Sequence, residues 1–315
     1  MDRVGLSVFA EEVIQGLSTE PKRLSSKWFY DEVGDDLFVQ IMKLPEYYLT
    51  DCEFQIFEQQ RQNIIEGFDM SGKDFDLYEL GAGDGTKTLE LLKGLRNVEF
   101  TYKPIDISIH AINNLERRVS REMPNIQVEG IQGEYFDVLA ELDSLKPKVI
   151  LFMGSNIGNL MDSQANDFLK RLSRVMNPGD KLLLGVDLKK PSAIVLPAYN
   201  DAAGITAKFN LNLLTRINLE FDANFDLHRF RHAPEYDEER GWALSYIESL
   251  VDQEVHVKAL SKRYSFKKGE KIFMEVSRKY DDDTISAITQ NTSLDIVSKF
   301  YDQQKYFCDV LFEKQ

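Results

Sequence analysis

The sequence predicts an α/β fold built around a parallel β-sheet, and three observations lead to this prediction. From residue 74 onward, short apolar segments alternate with segments whose apolar residues recur at helical spacing. The segments KVILFMG (148–154) and KLLLGVDL (181–188) are apolar almost throughout, which is typical of strands buried on both faces. A glycine-rich segment, YELGAGDG (78–85), follows the first such strand and precedes a helix. Together these features predict a sheet covered by helices on both sides.

The elements of this fold can be placed in order along the chain. Residues 1–60 show helical spacing in VFAEEVIQGLS and in DDLFVQIMKL, which ends at Pro45. Strands are predicted at 75–80, 99–107, 126–135, 148–154 and 181–188, and helices at 86–95, 111–123 and 163–176. The helix ISAITQ, capped by the turn YDDDT, precedes LDIVSKFYD and KYFCDVLFE, which predict a final antiparallel hairpin.

The rhythm of strands and helices changes after Lys190, and this change predicts a second domain. A long helical segment is followed there by the strand-like WALSYIESLV and EVHVKAL. We therefore predict a larger domain formed by residues 61–190 and 278–315 and a smaller one formed by residues 1–60 and 191–277.

Composition narrows the class of ligand. The formal net charge is −14 and the chain has no large cluster of Lys and Arg, which disfavours a nucleic-acid partner and favours a small-molecule substrate. No apolar run reaches the length of about 18 residues that a membrane span needs. Acidic residues near the N-terminus argue against an export signal, and only two cysteines occur, Cys52 and Cys308. We expect a cytoplasmic protein without membrane contact; a monomer is favoured, with the oligomeric state left open.

The histidines do not predict a metal site. The chain has four, and only His228 and His232 are four residues apart, without an HExxH pattern or other paired-ligand spacing. We therefore expect no metal.

The glycine-rich segment predicts a ligand that approaches the backbone closely. A dinucleotide fingerprint GxGxxG fails because its third glycine would fall at Thr86. The pattern Glu79-x-Gly81-x-Gly83-x-Gly85 instead fits E-x-G-x-G-x-G, which resembles the site for S-adenosylmethionine at the end of a first strand. One alternative is a tight turn that binds no ligand. Another is an NAD-dependent dehydrogenase, but the sequence lacks an evident arrangement of His, Lys and Tyr for hydride transfer.

Polar residues at the ends of the next strands support a cofactor site. Asp106 ends the second strand, where its carboxylate could accept hydrogen bonds from both ribose hydroxyls, although it could also be a helix N-cap. Glu134 and Tyr135 end the third strand, where adenine would be contacted. After the fourth strand the segment GSNIGNL (154–160) lacks the D/N-P-P-Y element of methylases that act on amino groups of DNA bases or protein glutamine. Nucleic-acid methylation is therefore disfavoured by motif as well as by charge.

Four segments resemble one family closely. KWFYDEVGDDLF (27–38), LPEYYLT (44–50), GSNIGNL and YNDAAGITAKFN (199–210) are similar to the S-adenosylmethionine-dependent histidine Nα-methyltransferases of ergothioneine biosynthesis, which form hercynine, the trimethylated betaine of histidine. The resemblance runs from about residue 10 to about residue 290. It implies a Rossmann-like class I methyltransferase core with a seven-stranded, mostly parallel sheet. A second, smaller domain would bind the substrate, with histidine held between the two.

The resemblance also implies roles for individual residues. Tyr47 and Asn159 match residues that hold the amino-carboxylate end of the substrate and carry catalysis, and Tyr199 and Thr206 match further contacts to that end. The remaining substrate residues are Glu275 and Ser277 at the imidazole ring, and the cofactor-side residues are Tyr30, Phe38, Gly81, Lys87 and Asp106.

One position departs from the family. A methionine is expected to pack on the imidazole, and the spacing to Glu275 puts Ser245 there. The methylated amino acid is therefore less firmly predicted than the reaction, and another aromatic amino acid remains an alternative substrate. A module that binds the cofactor without turnover is the alternative of a different class. Taken alone, Tyr47 could be a packing aromatic, Asn159 a helix N-cap, and Glu275 an ion-pair partner of Arg278.

Overall fold

Three α-helices come first in the described part of the chain, and strands and helices then alternate from Phe75 to Asp187. The computed structural model describes residues 7–315 apart from residues 84, 97, 135 and 143. In this part of the chain the α-helices are α1 (Val8–Leu17), α2 (Glu32–Ile41), α3 (Tyr48–Phe68), α4 (Thr86–Leu92), α5 (Ile109–Glu122), α6 (Asp162–Val175), α7 (Ser192–Ala198), α8 (Ile205–Phe221) and α9 (Asp282–Ile288). The strands are β1 (Phe75–Leu80), β2 (Phe100–Asp106), β3 (Gln127–Val128), β4 (Ile131–Gln132), β5 (Lys148–Phe152), β6 (Lys181–Asp187), β7 (Phe230–His232), β8 (Glu235–Asp237), β9 (Trp242–Ser249), β10 (Gln253–Val257), β11 (Lys262–Phe266), β12 (Lys271–Arg278), β13 (Leu294–Tyr301) and β14 (Phe307–Lys314).

The chain divides into two compact units. The sheet unit comprises Tyr48–Lys190 and Arg278–Gln315. The second unit comprises the described residues up to Tyr47 and Pro191–Ser277. The first boundary therefore lies at Tyr48 rather than at residue 61, because α3 packs on the sheet. Gln60 on α3 donates a hydrogen bond to the carbonyl of Tyr301, 2.7 Å away.

The predicted fold class is confirmed in the sheet unit. Its strands lie in the order β13-β14-β6-β5-β1-β2-β3, with β4 also paired to β2, so that eight strands fill seven positions. The pairs β1·β2, β1·β5 and β5·β6 are parallel, and β14 is antiparallel to both β6 and β13. The final hairpin is therefore confirmed. The predicted strand 126–135 is instead two short pieces, because glycine weakens a strand interior: Gly130 lies between β3 and β4, and Gly133 directly follows β4.

The core of the sheet unit explains why its central strands are apolar on both faces. All residues of β1, β5 and β6 are buried. Phe152, Leu182 and Leu184 join one apolar cluster with Phe168 and Leu172 of α6. Burying a side chain of this size contributes about 1.5–3 kcal/mol.

The second unit is built on a smaller sheet. Its strands lie in the order β12-β9-β7, with β8 also paired to β9, and β10 and β11 form a separate antiparallel pair. Leu213 and Ile217 of α8 share an apolar cluster with Ile247, Ile272 and Met274 of the sheet. The long helix and the strands predicted from residue 191 onward are thus present.

Among residues 7–315, leaving out the four positions named above, no helix is both long and apolar enough to span a membrane.

Candidate functional site

The glycine loop is tied to the end of β2 by Asp106. The N–H of Gly83 donates to Oδ2 of Asp106 at 3.1 Å, and the N–H of Ser108 donates to Oδ1 at 2.9 Å. Ser108, not Asp106, is the N-cap of α5, since its hydroxyl accepts from the N–H of Ala111. A carboxylate offers about four lone-pair sites, more than these donors use, so Asp106 can still accept a hydrogen bond from a ligand hydroxyl. Burial raises the pKa of Asp106, against the effect of the Ser108 and Gly83 N–H donors.

Gly83 lies where the loop backbone is open. Its φ is +54°, a conformation that side chains rarely adopt, and a Cβ placed on it would meet no atom within 4 Å. The space above Gly83 can therefore receive a ligand.

Glu79 lies beneath this loop and is held by neighbouring side chains. It is 2% exposed, and its carboxylate accepts from the hydroxyls of Thr88, at 2.5 Å, and Tyr102. Burial raises the pKa of Glu79 to about 7, although both hydroxyl donors oppose this shift. Glu79 therefore braces β1 against β2 and α4.

The other predicted cofactor residues of the sheet unit lie near the same strand ends. Asp106 is the register partner of Gln132 on β4, and Glu134 follows two residues later. Lys87, in the first turn of α4, forms an ion pair with Glu53. Tyr135 lies outside the described residues.

The segment after β5 turns sharply. Gly154 and Ser155 have φ values of +71° and +57°, and Asn156–Asn159 then form one turn of 3₁₀-helix. A Cβ on Gly158 would lie 2.9 Å from the carbonyl oxygen of Arg278, so glycine permits this close approach. Asn159 is exposed at the end of the turn. The N-cap of α6 is Met161, so Asn159 does not cap that helix.

A buried carboxylate on α3 holds this segment. Glu53 is 0% exposed and accepts from the N–H of Gly154 at 2.8 and 3.0 Å as well as from Lys87. Burial, together with the charge of Glu53, raises the pKa of Asp309 well above its ordinary range. Lys87 is thus paired directly with Glu53, while the pKa of the neighbouring Asp309 carboxyl is shifted in the direction that favours its protonated form.

In the second unit, two predicted substrate residues are joined directly. The hydroxyl of Tyr199, at the C-cap of α7, donates to Oγ of Ser277 on β12 at 2.7 Å. Glu275 lies two residues before Ser277 on the same strand and so on the same face of the sheet. The structure thus brings Tyr199, Ser277 and Glu275 to one face.

Ser245 does not share that face. The N–H of Ser249 donates to the carbonyl of Glu270, and the rings of Tyr246 and Phe273 are 5.8 Å apart, so β9 and β12 run antiparallel with Tyr246 opposite Phe273. This register places Leu244 opposite Glu275.

Since successive side chains alternate between faces, Ser245 points to the other side of the sheet, where Met274 and Ile247 belong to the apolar cluster. Leu244, not Ser245, therefore lies opposite Glu275 on this face, so the place of Ser245 in the ring pocket stays a prediction that this register does not support.

Three predicted residues of the second unit form an aromatic cluster. The ring of Phe38 lies 5.7 Å from that of Tyr30 and 6.3 Å from that of Tyr47, and Tyr30 and Phe38 also pack against Phe209 of α8. Residues predicted for the cofactor side and for the substrate therefore pack together in this unit.

The start of α8 and the end of α7 are fixed by two polar residues. Asp201 accepts from the N–H groups of Ile205 and Thr206, both at 2.8 Å. Burial would raise the pKa of Asp201, but these donors outweigh it and lower that pKa. Nε2 of His232 lies 2.9 Å from the carbonyl oxygen of Tyr199. Burial lowers the pKa of His232, so a neutral ring donates to this carbonyl and orients Tyr199.

Comparison with known proteins identifies the family. The model of a family described as "Histidine-specific methyltransferase, SAM-dependent" matches residues 9–314. The chain belongs to this family.

Individual members of the family and more distant relatives cover most of the chain. The histidine N-alpha-methyltransferase of Mycolicibacterium smegmatis is 37% identical over 278 residues, which are 88% of this chain and 85% of that protein. The corresponding protein of Mycobacterium tuberculosis is 35% identical over the same shares. The L-tryptophan methyltransferase of Psilocybe serbica is 27% identical over 94% of this chain and 90% of its own length.

Three buried or half-buried polar residues of this family member were not predicted from the sequence as candidates for a functional role. Glu53 and Asp187 are both 0% exposed, and His232 was considered only as a metal ligand. A signal existed for Glu53, because it lies on the apolar stripe of α3 with Cys52, Ile56 and Phe57. Asp187 ends an otherwise apolar buried strand, which is where functional residues of parallel sheets lie.

Proposed function

We propose that this protein transfers methyl groups from S-adenosylmethionine to the α-amine of L-histidine, up to three times, giving hercynine. Membership of a histidine-specific, S-adenosylmethionine-dependent family supports the reaction. The observation that best supports histidine as the substrate is the hydrogen bond from the Tyr199 hydroxyl to Ser277. It joins a residue predicted for the amino-carboxylate end to one predicted for the ring, on the face that also presents Glu275.

The sheet unit suits the cofactor, and we assign its binding there. Gly83 offers open backbone, Gly81 begins the loop, and Asp106 keeps acceptor capacity for the ribose hydroxyls. Glu79 would act through the loop that it braces, and Lys87 and Glu134 would line the same edge. When bound, S-adenosylmethionine supplies a methyl group made electrophilic by its sulfonium.

The second unit suits recognition of histidine. The carboxylate of Glu275 can accept a hydrogen bond from an imidazole N–H, and an amino acid without such a donor cannot supply that bond. Tyr47, Tyr199 and Thr206 would hold the amino-carboxylate end, and Asn159 is assigned to the same end by the family resemblance. Tyr30 and Phe38, which pack with Tyr47, are kept as cofactor-side residues.

The residue types fit a reaction that positions an amine rather than activates it with a strong base. The attacking amine must be neutral, and alignment of amine and methyl carbon supplies most of the rate. Asn159 and Tyr47 can hydrogen-bond without opposing a growing positive charge. Tyrosine rings also tolerate a methylated ammonium through cation–π attraction, worth about 0.5–2 kcal/mol.

The decisive experiment is a product assay with purified protein. Histidine and S-adenosylmethionine are incubated with it, and mass spectrometry follows products with one, two and three added methyl groups. Tryptophan and tyrosine are assayed in parallel. We expect methylated products from histidine but not from tryptophan or tyrosine. The histidine ring offers an N–H to Glu275, whereas the tyrosine ring has no N–H and the tryptophan ring is larger. Turnover of tryptophan without turnover of histidine would overturn the proposal.

A pair of variants tests the role of Glu275. Glu275→Gln removes the charge but keeps the shape, and we expect the KM for histidine to rise about tenfold or more with a smaller change in kcat. Glu248→Gln is the matched control. Glu248 lies on the neighbouring strand β9, on the face of the sheet that also carries Glu275, and it pairs with Arg231. Equal effects of the two substitutions would remove Glu275 from the ring site.

A further inference from the structure

Asp187, the last residue of β6, is the centre of a buried polar cluster in the sheet unit. It is 0% exposed. Oδ2 accepts from the hydroxyl of Tyr48 at 2.8 Å and from Nζ of Lys279 at 2.7 Å. Oδ1 accepts from Nζ of Lys190. One carboxylate therefore binds two ammonium groups and a phenol.

Two further contacts extend this cluster. The backbone N–H of Asp187 donates to Oγ of Ser155 at 3.0 Å. Nζ of Lys190 lies 3.0 Å from the hydroxyl of Tyr48 and 4.4 Å from the centre of its ring. We call Asp187, Tyr48, Lys190, Lys279 and Ser155 the Asp187 cluster.

The members of the Asp187 cluster are sequence neighbours of the proposed histidine-binding residues. Tyr48 directly follows Tyr47, so their Cα atoms are about 3.8 Å apart. Lys279 comes two residues after Ser277, and Ser155 opens the turn that ends at Asn159. Lys190 precedes Pro191, the N-cap of α7, the helix that ends at Tyr199.

The cluster is also where the chain changes units. The three changes fall between residues 47 and 48, 190 and 191, and 277 and 278. Tyr48, Lys190 and Lys279 each lie within two residues of one of these points and each binds the same carboxylate. Two buried ammonium groups on one carboxylate are a costly arrangement that apolar residues could replace without loss of stability. A role beyond stability therefore explains the cluster better.

We infer that Asp187 is a positioning residue for the amino-acid substrate. By holding Tyr48, Lys279 and Ser155, it fixes the backbone that directly adjoins Tyr47 and Ser277 and the turn that ends at Asn159, and through Lys190 it fixes the residue before α7. The contacts of Asp187 described above involve neither the glycine loop nor Asp106. Loss of the carboxylate therefore weakens binding of histidine and spares binding of the cofactor. This inference rests on the proposed function.

The chain provides a matched control at the other end of the same strand. Asp180 is 2% exposed, immediately precedes β6, and pairs with the buried Nζ of Lys148 at 2.9 Å. It also accepts from the backbone N–H groups of Lys148 and Asn177. Asp180→Asn thus breaks an ion pair that is nearly as buried as that of Asp187 but lies at the opposite end of β6.

The experiment compares Asp187→Asn, Tyr48→Phe and Asp180→Asn with the wild-type protein. Calorimetry measures the Kd of S-adenosylhomocysteine, then the Kd of histidine with that product bound, and assays give kcat and KM. We expect the Kd and KM for histidine to rise about tenfold or more in Asp187→Asn and about threefold in Tyr48→Phe. The Kd of S-adenosylhomocysteine should stay within about twofold in both, and Asp180→Asn should change neither Kd while lowering Tm.

The outcomes separate the two proposals. If the wild-type protein binds the cofactor product but neither binds nor methylates histidine, the proposed function fails. If the wild type binds histidine, but Asp187→Asn and Tyr48→Phe leave the Kd and KM for histidine as unchanged as Asp180→Asn does, the positioning role fails. Should Asp187→Asn not fold, Tyr48→Phe decides, because it removes one hydroxyl and keeps the ring beside Tyr306.

Discussion

Leu244 and Ser245 are adjacent residues with opposite environments. Leu244 faces the side of the sheet that carries Glu275, while Ser245 is 4% exposed and faces the apolar cluster of the second unit. A leucine beside Glu275 can pack against a planar ring whose N–H meets the carboxylate. We propose that Leu244, the residue before Ser245 on β9, supplies the apolar wall that the family pattern places at a methionine.

This arrangement predicts different effects of two neighbouring truncations. Leu244→Ala removes the apolar wall, and we expect the KM for histidine to rise about tenfold. Ser245→Ala removes one hydroxyl on the opposite face, and we expect KM within about twofold of the wild type. Steady-state kinetics with both variants tests this, and a larger effect of Ser245→Ala would restore that residue to the ring pocket.

The residues that sequence reasoning could place are those at the ends of parallel strands. Gly83 and Asp106 meet because the carboxyl ends of β1 and β2 share one edge of the sheet. The residues it could not place depend on partners far along the chain. Asp187 binds Tyr48, 139 residues away, and Gly154 binds Glu53, 101 residues away. No local pattern encodes such pairs.

At the scale of elements, the glycine loop can be tested against another turn of the same kind. Gly83 and Gly72 have φ values of +54° and +71°, and a Cβ on either would meet no atom within 4 Å. Replacing either by alanine therefore imposes a similar backbone strain, about 1–2 kcal/mol, without a clash. Gly72 lies between α3 and β1, away from the predicted cofactor edge.

We expect Gly83→Ala and Gly72→Ala to lower the thermal midpoint alike but to differ in cofactor binding. A methyl group on Gly83 would occupy space that we assign to S-adenosylmethionine, so the Kd of S-adenosylhomocysteine should rise about tenfold or more. In Gly72→Ala it should not change. Calorimetry with both variants makes the comparison, and unchanged affinity in Gly83→Ala would move the cofactor away from this loop.

Element boundaries were predictable where one face or both faces of an element are apolar. The strands β1, β5 and β6 and the helices α5 and α6 lie within two residues of their predicted ends. The strand after α5 was harder to predict, because Gly130 separates β3 from β4. The sequence also did not show to which unit α3 belongs, because that depends on which sheet its buried face packs against.

At the scale of the whole molecule, an acidic chain keeps several carboxyl groups inside its sheet unit. The formal net charge is −14, and Glu53, Glu79, Asp187 and Asp309 are at most 2% exposed. Glu53 and Asp187 are paired with lysines. Burial instead raises the pKa of Glu79 to about 7 and that of Asp309 well above its ordinary range. The stability of the sheet unit therefore depends on pH in a definite direction.

Glu79 gives this dependence a testable size. Its carboxyl binds a proton more tightly in the folded state, so the associated stability is fully present below the ordinary pKa of 4.5 and is lost as pH rises through about 7. A shift of this size corresponds to roughly 3 kcal/mol. Thermal midpoints measured from about pH 5 to about pH 8 should fall more for the wild type than for Glu79→Gln, by several degrees.

The matched control for this titration is Glu90→Gln. Glu90 on α4 is also buried, but Lys93 and Arg61 outweigh the effect of burial and lower its pKa, so it stays ionised throughout that pH range. Glu90→Gln should therefore lower the midpoint by a similar amount at every pH and keep the wild-type slope. If Glu79→Gln also kept that slope, Glu79 would be ionised in the folded protein throughout. The brace beneath the glycine loop would then be a charged one.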